Sequence, residues 1–209
     1  MSATQSEEYW EERYRDREPE WGTNPNAALV AVLAPLDLTP GAALDLGCGH
    51  GGDAFWLASS GWRVTAVDVS ATALTRVSAA AAERGLDVTT EQHDLTRTLP
   101  SGAFDLLTAS YFQTPLDIDR DAILRRAVAL IRPGGTLVVV DHGSAPPGSR
   151  LAHAHAHHVF PKPDETWASL DLGDGWTTVR VDAVVRRAVA PDGELADMTD
   201  NVIVARRAE

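Results

Sequence analysis

From Ala42 onward, short apolar runs alternate with helix-patterned stretches, and this alternation restricts the possible folds more than any other feature of the chain. Ala42–Leu46, Arg63–Asp68, Val88–Gln92, Phe104–Ala109 and Thr136–Asp141 read as strands. Between them Gly52–Ser60, Ala71–Arg84 and Asp119–Ile131 read as helices, the last stopped by Pro133-Gly134-Gly135. Strands that are apolar on both faces need cover on both, and parallel neighbours need crossover helices. The expected fold class is therefore α/β, with a doubly wound and mostly parallel sheet. A short helix near Asp164–Leu170 follows, and then Trp176–Val189 and Thr199–Arg207, separated by Pro191-Asp192-Gly193, read as a C-terminal antiparallel hairpin. No linker divides the 209 residues, so one domain is expected: a helical portion over 1–35, a core over 40–142, and a loop, helix and hairpin over 143–209.

The N-terminal portion starts with Thr4 and Glu7 at capping-box spacing, followed by a polar helix to about Glu18 whose only apolar stripe is Tyr9, Trp10 and Tyr14. A second helix is expected with Asn24 as cap and Pro25 at its first position, ending at Pro35. Trp10, Tyr14 and Trp21 either dock the first helix on the domain or let it cover a site.

Charge excludes several function classes. The net charge is −12, with one lysine and arginines that form no stripe, which disfavours a phosphate backbone as partner. The single cysteine, Cys48, cannot close an internal disulfide, and the first residues lack a basic region followed by an apolar run. No run of about 18 apolar residues occurs, so no membrane span is expected. These features lead to the expectation of a soluble cytoplasmic protein, a monomer or homodimer acting without nucleic acid or membrane.

The segment Leu44-Asp45-Leu46-Gly47-Cys48-Gly49-His50-Gly51-Gly52-Asp53 lies where the first core strand meets its helix, the place where open α/β sheets bind ligands. Glycines there let the backbone turn sharply and approach a ligand. Gly47, Gly49 and Gly52 also satisfy the G-x-G-x-x-G spacing of a dinucleotide site, so glycines alone leave a nicotinamide-dependent oxidoreductase open. Three carboxylates narrow the choice: Asp45 before the first glycine, and Asp68 and Asp94 after the next two strands. A carboxylate at the head of the loop repels a pyrophosphate and attracts a ligand bearing a sulfonium and an ammonium. Asp68 stands at the distance from which a carboxylate accepts hydrogen bonds from ribose hydroxyls, and Asp94 lies one strand further out.

With these residues, ALDLGCGHGGDAFWLA (43–58), VTAVDVS (64–70), HDL (93–95), FDLLTASYF (104–112) and LIRPGGTLVVVDH (130–142), the chain resembles a class I S-adenosylmethionine-dependent methyltransferase with its Rossmann-like sheet. YWEERY and WGTNPN are most similar to the small bacterial branch that includes tellurite-resistance and thiopurine methyltransferases. The resemblance implies S-adenosyl-L-methionine as cofactor, a ribose role for Asp68, adenine contacts for Val69, Asp94 and Leu95, and methionine contacts for Asp45, Gly47 and Gly49. Cys48, Gly51, Asp53 and Ser110 fall in the same implied cradle.

Cys48 has no basic neighbour in sequence to activate it and reads as a small residue where the backbone must come close to the cofactor. After the fourth strand, Ser110-Tyr111-Phe112-Gln113 stands where a nucleic-acid amino methyltransferase would carry Asp/Asn-Pro-Pro-aromatic, and its aromatics suit a flat or soft acceptor. Trp21, Tyr111 and Phe112 are therefore expected on the substrate side, with His142 as candidate general base if the acceptor is a hydroxyl. His153-Ala154-His155-Ala156-His157-His158 reads either as a segment near the mouth of the site or as a metal-binding run, and no metal is expected. The expected activity is methyl transfer to a small thiol, phenol, hydroxyl or similar acceptor by in-line displacement. A non-catalytic S-adenosylmethionine-binding module is the alternative.

Overall fold

The strand-ends that carry the acids are brought side by side by the order in which the strands pair. The computed structural model describes residues 4–15, 23–144, 160–189 and 195–209. Its seven-stranded sheet comprises β1 (Ala42–Leu46), β2 (Arg63–Asp68), β3 (Val88–Gln92), β4 (Phe104–Ser110), β5 (Ile131–His142), β6 (Trp176–Val189) and β7 (Leu195–Arg207), in the order β3-β2-β1-β4-β5-β7-β6. The first five strands run parallel, while β7 pairs antiparallel with both β5 and β6. The order reverses between β1 and β4, so a crevice opens beyond their carboxyl ends.

Two apolar layers hold this sheet. One joins Leu29, Val32, Phe55, Leu57, Val64, Leu74 and Val77, from α2 (Ala27–Leu33), α3 (Gly52–Ser59), α4 (Ala71–Arg84) and β2. The opposite layer joins Leu44, Leu46, Leu107, Ile123, Leu124, Leu137 and Leu170, from β1, β4, β5, α5 (Arg120–Ala127) and α6 (Pro163–Leu170). Strands buried on both faces are what the continuous apolar runs require. The remaining helix, α1 (Gln5–Arg15), packs on α4 with Tyr14 buried.

Two expectations are corrected. The second helix is capped by Asn26, not Asn24, and Pro25 precedes it. Asn26 is drawn there because both Asp53 carboxylate oxygens bind it, one through its backbone N–H at 2.7 Å and one through Nδ2 at 2.9 Å. The helix expected over Asp119–Ile131 ends at Ala127, a 3-10 turn spans Val128–Leu130, and Ile131 already pairs with Phe104. Pro133-Gly134-Gly135 therefore lies inside β5, in an irregularity between the pairs Phe104–Ile131 and Leu106–Thr136. Burial of Ile131 in the sheet outweighs the helical pattern that leads up to it.

Candidate functional site

An open cleft, about 620 Å³ with the solvent at its mouth included, lies at the crevice and brings together Gly47, Asp68, Val69, Asp94, Leu95, Tyr111 and Phe112. Those are sequence-expected residues from three separate strand ends and the glycine loop. Ser6, Trp10 and Tyr14 of α1 also line it, as do His93, Gln113 and Ile118.

The glycine loop is shaped by left-handed backbone at Gly47 (φ +69°) and Gly49 (φ +52°). A Cβ on Gly47 would lie 2.7 Å from the Phe112 ring, and one on Gly49 would lie 3.0 Å from the Tyr14 hydroxyl. Both positions therefore require glycine for conformation and for space. The Gly49 N–H donates to Asp68 Oδ2 at 3.0 Å, while Asp68 Oδ1 accepts from Ser70 N at 2.9 Å. Burial raises the Asp68 carboxyl above its usual pKa despite these bonds.

Asp45 lies behind the loop, 2% exposed. Its Oδ1 accepts from Thr108 Oγ1 at 2.9 Å, and its Oδ2 is buried without a hydrogen-bond partner among the described residues. Burial first, and then the nearby Asp53, push its pKa up to about 8, against the pull of the Thr108 bond. A buried carboxyl oxygen without a partner is costly, and Asp45 stands behind the glycine loop, not on the cavity wall. Asp94 behaves differently. Burial would raise it, but hydrogen bonds from the Thr96 and Thr4 side chains and Thr96 N–H, with the charge of Arg97, hold it below its ordinary value.

The other expected residues sit around this cavity rather than on its wall. Asp53 spends its oxygens on Asn26 and so ties the N-terminal segment to α3. Cys48 is buried, and burial followed by the charges of Asp68 and Asp45 pushes its thiol well above its usual pKa, which keeps it an inert thiol. Gly51 (φ +79°) starts α3. Ser110 closes β4 with its Oγ buried and without a hydrogen-bond partner among the described residues. His142 closes β5 and stacks on Tyr111, with centroids 4.1 Å apart and planes 24° from parallel. Trp21 and the run His153–His158 lie outside the described residues.

Sequence reasoning missed the residues that hold the wall after β4. Tyr111 has φ +50°, a strained conformation for an aromatic residue, worth on the order of 1–3 kcal/mol. Arg120 donates from Nε to the Phe112 carbonyl at 2.7 Å and from one terminal nitrogen to both oxygens of buried Asp141, at 2.6 and 2.7 Å. Gln113 Oε1 accepts from His142 N–H at 2.9 Å. Glu11 was missed as well: its carboxylate accepts from Ser70 Oγ at 2.7 Å, Thr72 N–H at 3.2 Å and the Thr72 hydroxyl. That places an acid from α1 on the N-terminus of α4, immediately after Asp68, with the favourable sign for the helix dipole.

Residues 43–135 match a family model described as a methyltransferase domain. The chain is 32% identical to a solved structure from work on the conversion of a disulfide bond into a thioacetal group during echinomycin biosynthesis, with a TM-score of 0.73 and coverage of 96% of this chain and 92% of that one. It is 34% identical over 122 residues to ribosomal RNA small subunit methyltransferase C of Alcanivorax borkumensis, and 35% identical over 118 residues to cypemycin N-terminal methyltransferase of a Streptomyces species. Those matches take in 56% and 54% of this chain but only 37% and 46% of the two relatives. The chain belongs to the class I S-adenosylmethionine-dependent methyltransferases, a family whose methyl donor is S-adenosylmethionine. Among the described residues no helix is long and apolar enough to cross a membrane.

Proposed function

We propose that this chain binds S-adenosylmethionine in the cavity and transfers its methyl group to a small-molecule acceptor, with sulfur as the first-choice acceptor atom. The observation that supports it most is the placement of Asp68 and Asp94, from adjacent strand ends, on one cavity with Gly47 of the glycine loop. In this reading Asp68 accepts from the ribose hydroxyls, Asp94 with Val69 and Leu95 faces the adenine, and Gly47 and Gly49 let the backbone meet the methionine portion. Asp45 acts from behind the glycine loop through its charge, which favours the cationic end of the ligand, with Cys48, Gly51 and Asp53 shaping the cradle and Ser110 at the end of β4.

The bound donor supplies an already activated methyl group, so no nucleophile on the protein is needed. What the chain provides is alignment and exclusion of water. Tyr111 and Phe112 form the wall on the acceptor side and α1 roofs the cavity through Trp10 and Tyr14. His142, stacked on Tyr111, is the candidate base for an acceptor that must lose a proton. A thiol largely ionised near neutral pH makes little demand on such a base. Sulfur chemistry in the solved relative that shares 32% identity supports the same choice. The ribosomal RNA relative raises a macromolecular acceptor, which the net charge of −12 and the acidic cavity oppose.

The test is a labelled-methyl screen across thiols, phenols, amines, carboxylates, tellurite and selenite, run beside ribosomal RNA. Transfer to a low-molecular-weight acceptor is expected, strongest among thiols. Efficient transfer to RNA with none to the small molecules would overturn the reading.

A further inference from the structure

Tyr111 is held at both ends. Its backbone N–H donates to the Val140 carbonyl at 2.6 Å, and its hydroxyl donates to Asp200 Oδ1 at 3.0 Å. Asp200 is 1% exposed on β7, directly opposite His142 of β5. Its second oxygen is paired with Arg186 Nε, and an Arg186 terminal nitrogen lies 3.4 Å from the Tyr111 hydroxyl. Arg186 comes from β6, the edge strand. The chain of contacts thus runs across β4, β5, β7 and β6, and its inner end is an aromatic ring on the cavity wall.

Asp200 is buried while the Arg186 side chain stays 31% exposed, and an ion pair that costs one partner its hydration and leaves the other partly in water is a poor source of stability. Its geometry here does something else. Left-handed backbone at Tyr111 leaves the ring direction to be fixed by what the side chain touches: the apolar layer beneath it, the His142 ring face, and at its hydroxyl the Asp200 carboxylate and Arg186. We infer that Asp200, through the oxygen that accepts from the Tyr111 hydroxyl, is a positioning residue that sets the Tyr111 ring as the acceptor-side wall, so that the C-terminal hairpin controls acceptor use without touching the acceptor. The inference rests on the proposed methyl transfer for its kinetic consequence only. The ring position is testable without any turnover.

Three variants separate positioning from bulk stability. Asp200→Asn keeps an oxygen that accepts from the Tyr111 hydroxyl but leaves Arg186 without its counter-charge. The double variant Asp200→Val with Arg186→Met removes the pair as a unit and the acceptor with it, and Tyr111→Phe removes the donor alone. The probes are S-adenosylmethionine binding by calorimetry, methyl transfer to thiophenol, and the ring carbon signals of 13C-tyrosine-labelled protein, with Tyr111 assigned from Tyr111→Phe. Positioning predicts a KM for thiophenol raised tenfold or more in the double variant and in Tyr111→Phe, near-normal kinetics in Asp200→Asn, cofactor affinity within about twofold of wild type throughout, and a shifted Tyr111 signal in the double variant only. A purely structural pair predicts the opposite order, with Asp200→Asn the most impaired, and that order overturns the inference. An unshifted Tyr111 signal in the double variant overturns it too. If wild type transfers nothing to thiophenol, the thiol reading fails by itself while the ring signals still decide the role of Asp200. If the double variant does not fold, Tyr111→Phe decides: unchanged KM in that variant contradicts the inference.

Discussion

The two sides of the cavity are built from partners at different distances along the chain. On the β1–β3 side, the contacts made within the sheet and its loops are short-range, Asp68 with Ser70 and Gly49 and Asp94 with Thr96, at separations of 2, 19 and 2 residues, and only Thr4 of the N-terminal segment reaches Asp94 from far along the chain. Beyond β4, Arg120 is tied to Asp141, Gln113 to His142 and Tyr111 to Asp200, at separations of 21, 29 and 89 residues. The strand-end acids of the first side take most of their partners from neighbouring strands and one loop, with the N-terminal segment added on top, whereas the Tyr111 hydroxyl on the second side finds its partner only with the antiparallel hairpin docked on β5. Substitutions on the first should therefore weaken ligand binding with little loss of fold, and those on the second should disturb fold and wall together.

The sharpest break of that contrast is Asp141→Ala. Asp141 is buried, and burial raises its carboxyl even though Arg120 pulls the other way. Losing it leaves Arg120, whose side chain is only 13% exposed, with the Phe112 carbonyl and the looser, more exposed Asp121 at 3.8 Å as partners, at a cost of about 3 kcal/mol. By thermal unfolding the variant should melt roughly 10 °C lower. Replacing Arg120 by Met and Asp141 by Leu together should restore much of that. If Asp141→Ala melts like wild type, the acceptor side is not assembled through this pair.

Asp68→Ala should leave the melting temperature within a few degrees of wild type and cost about 2–3 kcal/mol of cofactor binding, roughly 30- to 150-fold in Kd, read by calorimetry. Unaltered affinity would remove Asp68 from the ribose role.

A smaller effect is expected from Glu11→Gln. It weakens the acid on the N-terminus of α4 and so loosens α1 with its Trp10 and Tyr14, for about 1 kcal/mol, or roughly fivefold faster cofactor release in stopped flow. Release at the wild-type rate would show that α1 is no cover.

Acid–base linkage gives the mildest effect, and its sign is fixed by Asp45. With its pKa raised from 3.8 to about 8 in the free protein, Asp45 stabilises the fold below pH 3.8, and that contribution is lost as pH climbs through about 8. A cationic ligand restores the charged form to favour, so binding should release a proton. The thermal shift produced by S-adenosylmethionine should thus be larger at pH 8.5 than at pH 6. An equal shift at both, with no proton release in buffers of different ionisation enthalpy, would exclude Asp45 from the ligand's charge balance.

The same contrast explains what could be read in advance. Leu44–Asp53, Asp68 and Asp94 carry most of their geometry locally, in glycines that need positive φ and in acids at strand ends, so the β1–β3 side of the cavity and the parallel sheet are legible in the residues themselves. Ile131 reads as the end of a helix because its pairing with Phe104 is a tertiary contact with no local signature. Asn26 replaced Asn24 as a cap for a similar reason, since Asp53 reaches it across 27 residues. Asp200 and Arg186 look like ordinary strand charges in sequence. Only the register that sets His142 opposite Asp200 gives them a place in the wall.

Calorimetric titration of the wild-type chain separates an S-adenosylmethionine site built from the glycine loop and the strand-end acids from a dinucleotide site. S-adenosylmethionine and its demethylated product should each bind with one site per chain, and NAD should give no heat of binding. Saturable binding of NAD with none of S-adenosylmethionine would contradict the account.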